Sequence, residues 1–315
     1  MHGESTVLLR RERVTRMTSS GEASPTIGVL GVGRMGGPIA TVLAKQFAVN
    51  VFDVDPARAD DVPTARWCNS GGALAAASDV LVTVLPGAAE LRAALPAVLS
   101  KLRPSSLWID LTSGDPVTSR ELAARAERHG VAAVSAPMGG SVAEARASEL
   151  TFFVSGPNDA VDRAVPILNV LAATGGVRRI GHRVQDGQIV KLLANGLWFA
   201  NALAAAEALL IGQGLGLDVE ALHGFLQASA GGSRFLDEHA DQLLDGDYLP
   251  SFGIDRVVEE LDTIRRLQDV AGVNASMLNA SARHHHAALD QYGPALGELL
   301  GVRLLEERAG RKLRR

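Results

Sequence analysis

Among the 31 basic residues of this 315-residue chain, only four are lysine: Lys45, Lys101, Lys191 and Lys312. Arginine holds its proton at any working pH, whereas a lysine set among apolar groups can give its proton up. Lys191 is set that way, in Val190-Lys191-Leu192-Leu193-Ala194-Asn195, at the start of an apolar run reaching Leu217. Asn195 lies four residues on, which on a helix is the same face. An amine and an amide so paired can take a proton from a hydroxyl or return it to a carbonyl oxygen. The alternative is a lysine whose stem lies on apolar surface with its head in water. The choice depends on what the rest of the chain builds around Lys191.

The second chemical constellation lies near the other end. Thr26–Leu30 reads as a short buried strand, Gly31-Val32-Gly33-Arg34-Met35-Gly36 follows it, and Pro38–Phe47 reads as a helix. A strand over Ala48–Phe52 then ends in Asp53. Glycines at this spacing between strand and helix make a dinucleotide cradle. Gly31 permits the tight turn, Gly33 admits a pyrophosphate to the backbone, and Gly36 lets helix and strand touch. Unpaired N–H groups at the helix start attract the phosphates. Asp53, about twenty residues on, can accept both ribose hydroxyls and repels a 2′-phosphate, so NAD is expected over NADP. Val54 follows it where a phosphate-binding arginine could stand. Arg58 is the nearest cation, and NADP stays open through it.

Strands and helices then alternate. Asp79–Leu85 is a strand running out through Leu85-Pro86, and a helix follows to about Lys101. Leu107–Leu111 is a strand leading into Thr112-Ser113-Gly114-Asp115-Pro116, then a helix over Val117–His129. Val131–Ser135 is a strand that leaves through Ala136-Pro137-Met138-Gly139-Gly140. Leu150–Val154 and Val177–Ile180 are strands around a helix over Asp159–Ala173. That order predicts an α/β fold, a Rossmann-type doubly wound sheet over residues 26–183. Residues 184–315 read as an all-helical domain: Gly187–Gly212, Asp218–Ala228, Arg234–Leu244, Phe252–Ala271 and two more. Residues 1–25 are polar, charged and aperiodic, an expected disordered extension with Met17 as a second candidate start.

Composition narrows the partners. A hydrophobic content of 47% with 21% charge is that of a soluble globular protein, and a net charge of −4 argues against nucleic acid and anionic membranes. Asn201, Glu207 and Gln213 interrupt the apolar run, which fits the centre of a homodimer or homotetramer better than a membrane. One cysteine, Cys68, leaves no disulfide frame and suits a cytoplasmic protein. Arg283-His284-His285-His286 places its histidines in different directions around a helix, so surface histidines are expected and no metal. Trp198 reads as core, and Arg303–Arg315 as a frayed basic helix.

Four motifs in order now carry a resemblance. Gly31-Val32-Gly33-Arg34-Met35-Gly36-Gly37-Pro38 resembles the opening G-x-G-x-M-G-x-P of the β-hydroxyacid dehydrogenase family. Asp110-Leu111-Thr112-Ser113-Gly114-Asp115-Pro116 is similar to its D-x-S-T-x-x-P, Ala136-Pro137-Met138-Gly139-Gly140 to its A-P-V-S-G-G, and Gly187 through Asn195 to its G-x-x-x-K-x-x-N-N. The resemblance runs from Thr26 to about Leu300. It implies an NAD(P)-dependent oxidoreductase acting on a small hydroxy-acid-like alcohol or its semialdehyde. It also implies Lys191 as the catalytic acid/base, Asn195 as its partner, and Thr112 and Ser113 as substrate or cofactor contacts. The chain departs from the family at four places. Gly139 stands for the serine that helps hold the substrate carboxylate, Ala194 for the first asparagine, Arg234 for an aromatic residue, and Glu259 for a lysine reaching into the site. Gly139, Gly140, Arg234 and Glu259 are therefore expected around a substrate that is not the usual short acid, with Glu259 suited to an amine. An imine reductase of the same broad fold and a non-catalytic nucleotide-binding scaffold are the competing readings. Lys191 counts against the first, and Lys191 with Asn195 against the second.

Overall fold

The computed structural model describes residues 24–315, so the expected disordered extension lies almost entirely outside the described residues. The first half alternates strand and helix: β1 (Ile27–Leu30), α1 (Gly36–Leu43), β2 (Val49–Phe52), β3 (Arg66–Trp67), α2 (Gly71–Ala76), β4 (Val80–Thr83), α3 (Ala88–Leu99), β5 (Leu107–Asp110), α4 (Pro116–Arg128), β6 (Ala132–Ser135), β7 (Met138–Gly139), α5 (Val142–Ala147), β8 (Leu150–Ser155), α6 (Asn158–Asn169) and β9 (Ala172–Gly181). The sheet order is β3-β2-β1-β4-β5-β6-β8-β7, with β9 paired to β8. The sheet is parallel from β3 to β6; β8 then runs antiparallel to β6 and β7. The chain reverses between β1 and β4, so a crevice opens beyond the carboxyl ends of those strands. Valine, isoleucine and leucine fill β1, β4 and β5, whose residues are all buried, as strands covered by helices on both faces require.

After Gly181 the described chain is helical: α7 (Asp186–Gly214), α8 (Val219–Gln227), α9 (Arg234–Glu238), α10 (Ala240–Leu244), α11 (Ile254–Ala271), α12 (Ser276–Tyr292) and α13 (Leu300–Ala309). The 29 residues of α7 make a rod of about 43 Å. It is long and apolar enough to cross a membrane, yet here β8, β9, α8, α9, α11, α12 and α13 all pack against it. Cys68 is buried, and burial pushes its thiol up from the ordinary value.

The structure corrects several sequence expectations. The helix expected over Arg234–Leu244 breaks at His239 (φ −133°), whose ring lies edge-on to Trp198 at 4.9 Å; no glycine or proline signals the break. Two-residue β3 and β7 are too short to show a period, whereas α5 is announced by a capping box from Ser141 to Glu144. His285 is buried, against the expectation of surface histidines. Its Nδ1 lies 2.9 Å from the Ser281 carbonyl, and Gly301 is kept free of a side chain against its ring. The basic terminal segment is not frayed. Leu313 is buried, Glu306 accepts from the Leu313 N–H and the Arg314 guanidinium, and Arg315 pairs with Asp241 and Asp245.

Candidate active site

The nucleotide end is built mainly from backbone. Gly31 turns with φ +91°, and a Cβ there would lie 2.4 Å from the Val84 carbonyl; a Cβ at Gly36 would lie 2.0 Å from the Gly31 carbonyl. Gly33, by contrast, faces open space. Two glycines thus bring the turn and α1 together, and the third leaves room for a phosphate. Arg34 is exposed at the start of α1, next to Met35, the N-cap, which provides no capping side chain. The Val32 N–H donates to the Asp53 carboxylate at 2.8 Å, folding that acid over the glycine turn. The Asp55 N–H donates to its other oxygen at 3.0 Å. Val54 is exposed, and Arg58 turns to Asp55 and Asp61. A nicotinamide dinucleotide fits these residues: a sterically open turn, free helix-start N–H groups and an acid in ribose position.

At the next crevice edge, Leu85 and Pro86 leave β4. The Leu85 N–H donates to the Thr112 hydroxyl at 3.2 Å. Thr112 is buried, so it ties the loops after β4 and β5 together, and Ser113 is the partly exposed member of the pair. Beneath them, Asp110 accepts from Thr83 (2.7 Å) and from the Thr112 N–H (3.1 Å), while Trp108 donates to Thr83. Burial raises the Asp110 carboxyl to about 6 against these hydrogen bonds, and its Oδ2 has no partner.

The proton-handling end is built from side chains. Lys191 and Asn195 project from one face of α7, and Nζ donates to the Asn195 Oδ1 at 2.8 Å. The Asn195 amide donates in turn to Glu260 Oε2 on α11 at 2.6 Å. Lys191 is enclosed by protein yet keeps a solvent-facing part, as a group at the bottom of a cleft does. Burial lowers its proton affinity below the ordinary lysine value, and Glu260 and Glu298 pull it partly back. Burial likewise raises Glu260, opposed by Lys191 and Asn195, and raises Glu298, opposed chiefly by the Trp198 N–H. An amine so placed can cycle between protonated and neutral forms, as an acid/base in alcohol oxidation must.

Gln188 joins the two ends. Wholly buried three residues before Lys191, it donates to the Thr112 carbonyl (2.7 Å) and Ser135 hydroxyl (3.2 Å), and accepts from the Gly114 N–H (3.0 Å).

The structure does not gather every expected residue there. Glu259 is exposed and accepts from Arg256 at 2.8 Å; Arg256 also approaches Glu90 (3.5 Å) and packs against Gly87, beside Pro86. Glu259 is thus half of an ion pair at the cleft mouth, not an unpaired acid facing substrate. Arg234 has a side chain 79% exposed and donates to Glu238, with Glu144 of α5 close enough to raise its proton affinity further. It is no inward anion clamp within this chain. Gly139 ends β7 half-buried, and Gly140 follows it exposed with φ +126°. Sequence reasoning missed Gln188, Glu260, Glu298 and Arg256. Glu260 directly follows Glu259, the residue already singled out on that helix, and that adjacency is the one signal that could have found it. Glu298, 100 residues beyond Trp198, had none.

Comparison with known proteins accounts for both ends. Residues 26–183 match the NAD binding domain of 6-phosphogluconate dehydrogenase, and residues 186–305 match the NAD-binding domain of NADP-dependent 3-hydroxyisobutyrate dehydrogenase. Similar curated proteins include L-threonate dehydrogenase of Cupriavidus necator, 31% identical over 76% of this chain and 82% of that protein. Another is the NAD-dependent L-serine dehydrogenase of Pseudomonas aeruginosa, 30% identical over 67% of this chain and 72% of that protein. Among solved structures, Mycobacterium tuberculosis 3-hydroxyisobutyrate dehydrogenase with L-serine superposes with a TM-score of 0.82. It is 26% identical, over 90% of this chain and 99% of that one. An imine reductase from Myxococcus stipitatus, at 19% identity and a TM-score of 0.61, shares the fold. From the glycine cradle through the helix that carries Lys191, this chain belongs to the β-hydroxyacid dehydrogenase family of NAD(P)-dependent oxidoreductases.

Proposed function

We propose that this protein is an NAD-preferring dehydrogenase of short β-hydroxy acids, working in either direction, with Lys191 as the general acid/base. The observation that carries this reading is the desolvated Lys191 amine held by Asn195 and Glu260 in a cleft that the nucleotide loops border. The turn Gly31–Gly36, with Asp53, Leu85, Pro86 and Ser113, would hold the cofactor, whose nicotinamide exchanges a hydride with the carbinol carbon. In oxidation, neutral Lys191 accepts the hydroxyl proton at Nζ. In reduction, the ammonium returns it to the carbonyl oxygen. Asn195 fixes the amine by accepting one of its N–H bonds, leaving the lone pair or remaining proton for substrate. Asp53 supports NAD over NADP because its carboxylate would repel a 2′-phosphate.

The working form is a homodimer or homotetramer in the cytoplasm. Support comes from the outer face of α7, where Leu193, Leu197, Ala204, Ala208 and Ile211 lie exposed at steps of three, four and seven residues, with Leu215 exposed just past the helix end. Leu197 is 58%, Ile211 64% and Leu215 80% accessible, a seam suited to a second copy. The test of the reaction is nicotinamide absorbance with full-length protein against hydroxy acids, amino alcohols and cyclic imines. Turnover of hydroxy acids supports the reading. Turnover confined to imines, or none, overturns it.

A further inference from the structure

Away from the buried joint at Gln188, charge ties the two halves of the molecule together at the cleft mouth. Arg256, in the first turn of α11, reaches across to the start of α3. Its Nη2 lies 3.5 Å from Glu90 Oε1. Gly87, the N-cap of α3, follows Leu85-Pro86 out of β4, one of the two strands that flank the crevice where a dinucleotide lies. Two carboxylates of its own helix set where Arg256 points. Glu259 accepts from Nη1 at 2.8 Å, and Asp255 lies 3.9 Å from Nε. The third carboxylate, Glu90, is the bond between the halves.

That bond is not drawn tight. At 3.5 Å it is longer than a charge-assisted hydrogen bond, and the second Glu90 oxygen, Oε2, is buried with no donor. Arg256 Nη1 and this oxygen both border the space that a Gly87 side chain would fill, 3.2 and 3.4 Å from the Cβ position. Glycine thus leaves room for a guanidinium to settle on both oxygens. We propose that Arg256 is a clasp: through Glu90 it closes α11 over the crevice beside β4, and so sets how long the nicotinamide dinucleotide stays bound. This goes beyond the dehydrogenase reading and needs only the nucleotide site. Arg256 is a positioning residue, acting through Glu90 and not on substrate. The three side chains of the clasp are partly exposed, so it adds little to folding stability, yet a small energy is enough to alter a release rate.

The experiment follows cofactor release from the full chain by stopped-flow fluorescence without substrate, using NADH, or NADPH where that binds more tightly. Wild type, Arg256→Ala, Glu90→Gln and the double variant are compared. Each single change should speed release about twofold to fivefold, the range an exposed ion pair allows. The double variant should be no faster than either, because both changes remove the same contact. Salt at about 0.5 M, which screens exposed charges, should speed wild type more than Arg256→Ala. The sign for Glu90→Gln separates the clasp from a direct anchor. If Arg256 held the cofactor phosphates itself, losing a competing carboxylate would slow release. Slower release in Glu90→Gln, additive effects in the double variant, or an unchanged rate in Arg256→Ala overturn the clasp and leave the dehydrogenase reading standing. A chain that binds neither NADH nor NADPH overturns both. If Arg256→Ala does not fold, the sign for Glu90→Gln and its loss of salt dependence decide.

Discussion

The nucleotide end and the proton-handling end of this molecule are made in different ways. The first is mostly backbone: a turn of three glycines, a helix start and one acid, all within Gly31–Asp53. The second is entirely side chain, assembled from Lys191, Asn195, Glu260 and Glu298, which span over a hundred residues. A backbone cradle is written locally, because only glycine fits at Gly31 and Gly36. A side-chain cluster exists only once the helices have packed.

The largest effect that tests this division is Lys191→Ala. Turnover should fall by about 10²–10⁴-fold while NAD binding, followed by fluorescence titration, stays near wild type. Loss of cofactor binding in parallel would mean that the two ends do not work separately. The converse change, Asp53→Ser with Val54→Arg, should move the NADP/NAD ratio of kcat/KM by about tenfold or more, some 1.4 kcal/mol, with kcat for the better cofactor kept. A wild type that already prefers NADP would break the reading of Asp53.

A smaller effect sharpens the proton site. Glu260 raises the proton affinity of Lys191, so Glu260→Gln should move the acidic limb of the oxidation rate profile to lower pH. A limb that stays in place would remove Glu260 from the electrostatics of the amine. A last test, of stability and not of rate, contrasts one titrating group from each half of the fold. Burial lowers His285 to about 4, so between roughly 6.5 and 4 the unfolded chain binds the extra proton and stability falls with falling pH. Asp110, raised to about 6, has the opposite sign: the folded chain binds the proton first, and stability rises as pH falls from 6 toward 4. The two slopes oppose each other. His285→Leu should therefore gain about 2 kcal/mol over wild type between pH 6.5 and 5, by urea unfolding. Parallel pH dependences in the two proteins would sink this.

The same division explains what could be read before the fold was known. The strand-turn-helix pattern from Thr26 to Asp53, the alternation to Gly181 and the helices after it follow from local period and turn residues. Lys191 and Asn195 were legible because they share one helix. Glu298 was not, since its place depends on backbone pairing with Tyr248, Leu249 and Phe252. Glu259 was misjudged for a related reason. Its neutralising partner, Arg256, stands one turn away, and the pair's closeness to Gly87 is tertiary. His239 breaks a helix that nothing in its own sequence interrupts, because its ring is held against Trp198.

The single amide of Gln188 has a mechanical consequence. The Gly187 N–H donates to the Ser155 hydroxyl, which donates to the Val184 carbonyl, and Gln188 adds three bonds, two to the loop after β5 and one to Ser135 at the end of β6. A Cβ on Gly187 would sit 2.2 Å from the Phe153 carbonyl, so the backbone there has no slack. The crossover from sheet to helices is a welded joint rather than a hinge. A swing of the sheet against the helices at this crossover would have to break these five hydrogen bonds together. In hydrogen–deuterium exchange the Gly114 and Gly187 amides should rank among the slowest in the molecule, and those around His239 among the fastest within the helical region.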